Sequence, residues 1–273
     1  MNDLYLEAAF MQAEVLTKAY STSFSSSLSL VDKRLRPAIY AVYAMARVVD
    51  EIVDTPHKGV DVRQELEGCR RQFNQAIAAR YSSNPIMHAF QHVFHAYGLK
   101  IEHLDAFFAS MEMDLHPVHF SVEQYEQYIY GSAQAIGLMC LPIFCDGYPG
   151  LADALEGGAG KLGSAYQKVN FLRDIASDYR ERGRTYFPGI TPGTLSKIQK
   201  QMIEDDIAKE LVEADVALRK LPRQARRGVR LSYLYFDRLL KEISPLTPEQ
   251  LFTSRISVPK GIKVWLYVRA LLR

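Results

Sequence analysis

The sequence predicts a single all-α domain that spans residues 1–273. Two observations indicate this fold class. Apolar residues recur close to the 3.6-residue period of an amphipathic helix in one segment after another, beginning with Leu4, Ala8, Met11 and Val15. The chain also contains no internal repeat and no linker that would divide it, so one helical core is the economical interpretation.

Proline and capping residues mark where the predicted helices begin. Pro37 fits the first turn of an apolar helix, and Asn84 is a cap followed by proline at the first helical position. The hydroxyl-rich YSTSFSSSLSL favours a loop or a helix edge, because hydroxyls compete for backbone hydrogen bonds. The predicted helices cover 4–20, 35–53, 62–81, 85–97, 103–115, 127–145, part of 162–188, 197–220, 229–243 and 262–272, with another beginning near 121.

Composition limits the compartment and the partners. Lys+Arg 33 against Asp+Glu 31 is close to balance, which gives no general case for nucleic acid as a partner. Cys69, Cys140 and Cys145 are an odd number without a C-x-x-C pair, as fits a reducing cytosol. The N-terminal MNDLYLEAAF lacks the features of a secretory signal. We therefore expect a cytoplasmic protein that does not bind nucleic acid.

The segment 127–145 has no formal charge and approaches the length of a membrane span. Pro142 and several polar side chains argue against a span, so we expect a buried helix. Gly131, Ala135 and Gly137 leave little side-chain volume on it. Either another helix approaches closely there, or a long apolar ligand occupies the space.

Two acidic helix faces carry the candidate chemistry. On one helix, Asn170, Asp174 and Asp178 recur at i, i+4 and i+8, with Gln167 one turn earlier. Such a face needs cations, which are either hard metal ions or nearby arginines. The arginines close in sequence are Arg173, Arg180, Arg182 and Arg184.

The second acidic face ends the apolar helix 35–53 and contains Asp50 and Asp54, with Tyr43 and Arg47 on the preceding turns. An ion pair between Arg47 and Asp50 would leave Asp54 unexplained, because a buried carboxylate needs a partner. If the two acidic helices face each other across a cavity, they suit Mg²⁺, with Mn²⁺ as an alternative ion, together with the phosphates of a substrate. The apolar walls at 35–49 and 129–144 would match a hydrocarbon tail.

Three stretches, YAMARVVDEIVD, YIYGSAQAIGLM and LGSAYQKVNFLRDIASDYRERGRTYFP, resemble signature stretches of the squalene/phytoene synthase family. The resemblance implies a helical bundle of the isoprenoid synthase type around a central cavity. It implies two magnesium-binding Asp-x-x-x-Asp motifs, at Asp50/Asp54 and Asp174/Asp178, with Asn170 as a further metal ligand. It also implies diphosphate contacts from Arg47, Arg173 and Arg255, and a reaction cavity lined by Tyr43, Tyr128 and Tyr235. Further substrate-binding residues on the same resemblance are Gln167, Asn170 and Ser21, Ser23 and Phe24 of an N-terminal flap, in which Tyr20 replaces a His common in bacterial members.

The resemblance further implies that two prenyl diphosphates condense head to head through a cyclopropyl intermediate. The Asp-Glu-x-x-Asp form of the first motif and the absence of a C-terminal membrane anchor favour phytoene synthesis from two geranylgeranyl diphosphates. Squalene or dehydrosqualene synthesis from two farnesyl diphosphates is the alternative, and NADPH is needed only for squalene. A non-catalytic member is expected to lose the aspartates, and this chain keeps all four. Peripheral membrane association would serve product release, and the basic run 219–230 is either a lipid contact or a solvated face.

Overall fold

The computed structural model describes residues 3–55, 58–115, 120–190, 194–253 and 255–271, apart from the side chains at 181 and 182. The described residues form helices and no β-strand, which confirms the predicted all-α class. The helices are α1 (Leu4–Tyr20), α2 (Thr22–Leu28), α3 (Arg36–Asp54), α4 (Val62–Ala79), α5 (Pro85–Ala96), α6 (Ile101–Met113), α7 (Val122–Ile129), a π-helical turn (Tyr130–Gln134), α8 (Ala135–Phe144), α9 (Leu151–Arg182), α10 (Lys197–Lys220), α11 (Arg223–Ile243), α12 (Pro248–Leu251) and α13 (Lys260–Leu271).

Most of the hydroxyl-rich segment is the helix α2, Thr22–Leu28, whereas the sequence predicted a loop or a helix edge there. The Ser21 side chain caps α2 by accepting a hydrogen bond from the Phe24 amide at 3.2 Å. Ser25 and Ser26 then donate their hydroxyls to the carbonyls one turn back, at 2.6 and 2.8 Å. These bonds are compatible with a helix, and they satisfy hydroxyls that would otherwise favour a turn.

Helix α9 is longer than the segment from which it was predicted, because it begins at Leu151 rather than near 162. It ends at Arg182, and the capping Gly183 has a φ of 63°, the left-handed conformation that closes many helices. Helix α11 likewise begins at Arg223, not near 229, directly after Pro222. The cationic run 219–230 therefore lies mostly on the first turns of a helix.

Two large apolar cores and two smaller clusters support the bundle. The first core joins α1, α3, α4, α5, α6 and α8, and it buries Phe73, Phe90, Phe107 and Phe108 fully. The second joins α7, α9, α10 and α11. Within the described ranges, no helix is long and apolar enough to cross a membrane.

The small residues of the segment 127–145 have two different roles. A Cβ on Gly131 would lie 2.1 Å from the Ala106 carbonyl oxygen, so Gly131 allows α6 to pack closely against the π-helical turn. Gly137 instead lines the central cavity, and its nearest neighbour would be 3.6 Å away. Close packing of another helix therefore holds at Gly131, whereas the space beside Gly137 belongs to the cavity.

Candidate active site

A cavity of about 820 Å³ lies among α2, α3, α8, α9, α10 and α11. Its volume is near the upper end of the ~300–1,000 Å³ range that is typical of ligand pockets. The lining side chains of α9 show that the cavity changes from apolar to polar along its length. Leu155, Ala159 and Leu162 line one part, and Asn170 and Arg173 line another. Since 18 residues of helix span about 27 Å, the cavity is elongated, with an apolar part and a part lined by polar and cationic groups.

The N-terminal segment packs onto α3 at the polar part. Ser21, Ser23 and Phe24, the residues that resemble the family's flap, line the cavity. The Phe24 ring stacks on Tyr43 with 4.7 Å between ring centroids, and the Arg47 guanidinium lies 4.2 Å from the centroid of Tyr20. At this distance Tyr20 makes a cation–π contact that holds Arg47 in place. Burial raises the pKa of the Tyr43 phenol.

The closer carboxylate partner of Arg47 is Glu51, rather than Asp50, whose ion pair with Arg47 was the alternative considered from the sequence. Arg47 Nη2 lies 2.5 Å from Glu51 Oε2, whereas Arg47 Nη1 is 3.9 Å from Asp50 Oδ2. Hydrogen bonds from Thr55 and from Arg47 lower the pKa of Glu51 to about 2. Burial lowers the pKa of Arg47, but the hydrogen bond to Glu51 and the negative charges of Asp50 and Asp54 raise it, and the net shift is upward.

At the second motif, Asp174 accepts hydrogen bonds from two arginines. Arg173 binds it through both Nε, at 3.0 Å, and Nη2, and Arg255 Nε lies 2.7 Å from the same carboxylate. Arg173 and Arg255 both line the cavity. Of the other arginines suggested for this face, Arg180 donates to the Phe252 carbonyl, Arg184 binds Asp114, and the side chain of Arg182 lies outside the described residues.

The turns that precede the two aspartate motifs line the same cavity, with Tyr43 and Arg47 on α3 and Gln167, Asn170 and Arg173 on α9. Asp50, Asp54, Asp174 and Asp178 are not among the described lining side chains. The Asn170 Oδ1 atom is buried without a hydrogen-bond partner, one turn before Asp174. Burying an amide oxygen without a hydrogen-bond partner costs free energy. Such an oxygen is also a ligand that hard cations bind.

The described residues contain no group of three or more His, Cys, Asp or Glu side chains placed to hold a metal ion by themselves. Mg²⁺ is usually held by one or two carboxylates together with waters and substrate phosphates. The oxygen donors of Asp174 and Asn170, beside cationic groups suited to phosphate, fit this kind of site.

The sequence profile of the squalene/phytoene synthase family matches residues 17–191. The chain belongs to this family of head-to-head prenyl synthases. It is 30% identical over 184 residues to the 4,4'-diapophytoene synthase of Staphylococcus haemolyticus, a match that covers 67% of this chain and 63% of that protein. It is 26% identical over 286 residues to phytoene synthase 3, chloroplastic, of Zea mays, covering 98% of this chain and 66% of that protein. These matches therefore span slightly less than two thirds of each relative's length.

A crystal structure of a dehydrosqualene synthase in complex with a ligand has the same fold. The TM-score is 0.84 at 21% sequence identity, and the match covers 98% of this chain and 96% of that chain. The squalene/phytoene synthase fold therefore extends over nearly the whole chain.

Tyr128 does not line the cavity of this squalene/phytoene synthase family member, which corrects its expected position. It is buried among Phe120, Phe171 and Tyr186, and its hydroxyl donates to Asp114 Oδ2 at 2.8 Å. Burial and the nearby Asp114 carboxylate raise its pKa well above the usual value. Asp114 also accepts from Arg184 Nη1 at 3.0 Å, so Tyr128 belongs to a buried polar network that joins α7 to the segment after α9.

The structure adds Lys263 to the residues expected from the sequence. Tyr235 lines the cavity as predicted, and Lys263 Nζ lies 5.0 Å from its ring centroid, also on the cavity wall. The Asp114 network was missed as well, although an acid at the end of the apolar segment 103–115 was a visible signal. Lys263 had no such signal, because a lysine on an amphipathic tail resembles any solvated cation.

Proposed function

We propose that this protein condenses two geranylgeranyl diphosphates head to head, through a cyclopropyl diphosphate, to phytoene with release of diphosphate. The observation that carries the proposal is the polarity of the elongated cavity. Apolar side chains such as Leu155 and Leu162 suit a prenyl chain, and Arg47, Arg173 and Arg255 suit a diphosphate. Family membership supplies the reaction class.

The arginines would bind the diphosphate as a leaving group. Each already contacts a carboxylate, Glu51 for Arg47 and Asp174 for Arg173 and Arg255, which holds the guanidinium groups in place before substrate arrives. Charge develops on the diphosphate oxygens as the allylic C–O bond breaks, so positioned cations stabilise the transition state. The Tyr43 ring face can stabilise positive charge on carbon, and Phe24 stacked on it excludes water.

We further propose that Mg²⁺ ions, with Mn²⁺ as an alternative, are held by two separate motifs, Asp50 and Asp54 on α3 and Asn170, Asp174 and Asp178 on α9. When bound, such ions would neutralise negative charge on the departing diphosphate. The buried, unpartnered Oδ1 of Asn170 supports this assignment.

The second candidate function is dehydrosqualene or squalene synthesis from two farnesyl diphosphates. The 30% identity to a 4,4'-diapophytoene synthase favours it, because this is the higher of the two identities given above. The Asp50-Glu51-x-x-Asp54 form of the first motif favours phytoene synthesis. NADPH is required only if the product is squalene.

The deciding experiment incubates the purified protein with MgCl₂ and either prenyl diphosphate, with and without NADPH, and identifies the hydrocarbon by mass spectrometry. Phytoene from geranylgeranyl diphosphate, independent of NADPH, is the expected result. A product from farnesyl diphosphate alone would transfer the assignment to the second candidate.

Asp50→Asn and Asp174→Asn test the roles of the two motifs. Each variant should keep the helical circular dichroism spectrum and lose at least about a hundredfold in turnover, the scale on which positioned electrostatic groups act. Turnover at the wild-type rate in the purified double variant would overturn the assignment.

A further inference from the structure

Helix α13 presents a strip of apolar side chains to solvent. Val264, Trp265, Val268 and Leu271 are 65%, 57%, 47% and 41% exposed. Their spacing of i, i+1, i+4 and i+7 places them on one face of the helix. A contiguous exposed apolar strip of this kind marks an interaction surface. The opposite face of α13 is anchored to the bundle through Leu266 and Ala270, which pack with Leu231 and Leu234.

The charges around this strip have one sign. The described residues from Arg255 to Leu271 include Lys260, Lys263 and Arg269 and contain no Asp or Glu. The Arg269 guanidinium lies 5.2 Å from the Trp265 ring. An exposed Trp beside basic side chains on an apolar helix face is typical of a helix that lies in the interface of an anionic membrane.

The exposed valines of α10 have different surroundings. Val212 and Val216 of α10 are 67% and 57% exposed, but their helix contains six Asp or Glu residues. The basic run 219–230, considered as a lipid contact from the sequence, is partly neutralised, because Arg219 and Arg230 both bind Asp215. Helix α13 differs from both, because its apolar exposure occurs in a segment that carries cations and no Asp or Glu of its own.

Helix α13 also borders the central cavity. Lys263 lines the cavity, as do Arg255 and Val258 in the segment that leads into the helix. The apolar strip and the cavity wall are thus parts of one short helical element. If the proposed function holds, and this step rests on it, substrates with long prenyl chains and an apolar product must pass between the cavity and a lipid phase.

We propose that the α13 strip, formed by Val264, Trp265, Val268 and Leu271, docks on the surface of an anionic lipid bilayer and places the cavity beside it. The helix from Lys260 to Leu271 is about 18 Å long, shorter than the ~30 Å hydrocarbon core of a bilayer. The helix is therefore expected to lie in the membrane interface and not to span the bilayer. Lys260 and Arg269 supply the attraction to anionic headgroups.

Trp265 is the only tryptophan in the chain, so its fluorescence reports directly on the α13 strip. The protein is titrated with vesicles of phosphatidylcholine and phosphatidylglycerol, and separately with phosphatidylcholine alone. We expect a blue-shifted emission and protection from acrylamide with the anionic vesicles, and binding weaker by roughly fivefold per engaged basic side chain with the neutral ones. Unchanged emission with the protein left in the supernatant after sedimentation overturns the proposal.

A pair of double variants distinguishes binding through the α13 strip from non-specific adsorption to vesicles. Val264→Ser with Val268→Ser keeps the Trp265 probe and should weaken vesicle binding by about tenfold or more. Val212→Ser with Val216→Ser makes the same chemical change at similar exposure on α10 and should bind as the wild type does. An equal loss in both variants contradicts the proposal, as does a concentration-dependent Trp265 shift without vesicles, which would indicate a second copy of this chain as the occupant.

This binding measurement requires no turnover, so its result is independent of the prenyl diphosphate assays. Vesicle binding in a protein that converts no prenyl diphosphate would leave the docking surface standing and remove the proposed function. Turnover without vesicle binding would do the reverse.

Discussion

Gly131→Ala tests whether close packing at the π-helical turn holds the wall of the cavity together. An alanine Cβ would lie 2.1 Å from the Ala106 carbonyl oxygen and 2.8 Å from the Ser110 Cβ. Carbon–oxygen contacts in proteins are closer to ~3.3–3.6 Å, so relieving the 2.1 Å contact would require α6 and the turn to separate by roughly 1.2–1.5 Å. The nearest atom belongs to the backbone, and a change of side-chain rotamer therefore cannot relieve the contact.

The expected loss of stability follows from two opposing terms. Overpacking a well-packed core costs about 1–3 kcal/mol, and the backbone contact places this site at the upper end. Replacing a helical glycine by alanine returns roughly 0.5–1 kcal/mol. We expect a net loss of about 2 kcal/mol, or roughly 4–8 °C in Tm at this chain size.

Urea unfolding followed by circular dichroism measures this difference. The matched control is Gly157→Ala on α9, where an added Cβ would meet nothing within 4 Å. It should stabilise the protein by about 0.5–1 kcal/mol through the helix-propensity gain alone. If Gly131→Ala unfolds at the same urea concentration as Gly157→Ala, the steric argument is refuted.

Two further predictions concern charged groups. Asp114→Asn should lower the unfolding free energy by about 3 kcal/mol in urea titrations, because Asp114 and Arg184 form a buried pair with side chains only 5% and 15% exposed; an unchanged midpoint would contradict this. Glu51, with its pKa lowered to about 2 by Thr55 and Arg47, contributes stability above its unfolded pKa near 4.5 that is lost as the pH falls toward 2. Because this side chain is about a third exposed, Glu51→Gln should lower the unfolding free energy by only about 0.5–1 kcal/mol at pH 6, and by progressively less below pH 4. A loss that grows on acidification would refute the assignment.

Several helix boundaries could be read from the sequence because their signals are local. Asn84 caps α5 through its side-chain oxygen, 3.0 Å from the Ile86 amide, and Pro85 is the first helical residue, as predicted. The predicted helix 197–220 also matches α10, which Ser196 caps. Cap geometry depends on three or four consecutive residues, so such signals survive without any knowledge of the fold.

Other features of the chain were ambiguous at the same local level. Helix formation in the segment around Ser25 was missed, because hydroxyl side chains satisfy either a turn or the carbonyl of the preceding helical turn. Arg47 could pair with Asp50 or Glu51, at i+3 or i+4, and both spacings place the groups on one helix face. The structure selects Glu51, which also accepts from Thr55 at 2.5 Å.

Helical periodicity, the family's motifs and the side-chain spacing on each helix were all present in the linear chain. Three features could not be read from the linear chain. They are the contact of Tyr128 with Asp114, the separate roles of Gly131 and Gly137, and the contribution of Lys263 to the cavity wall. Each of these depends on which helix faces meet, and the contacting residues are distant in sequence. Periodicity determines that a helix has an apolar face, but the packing of whole helices determines what that face touches.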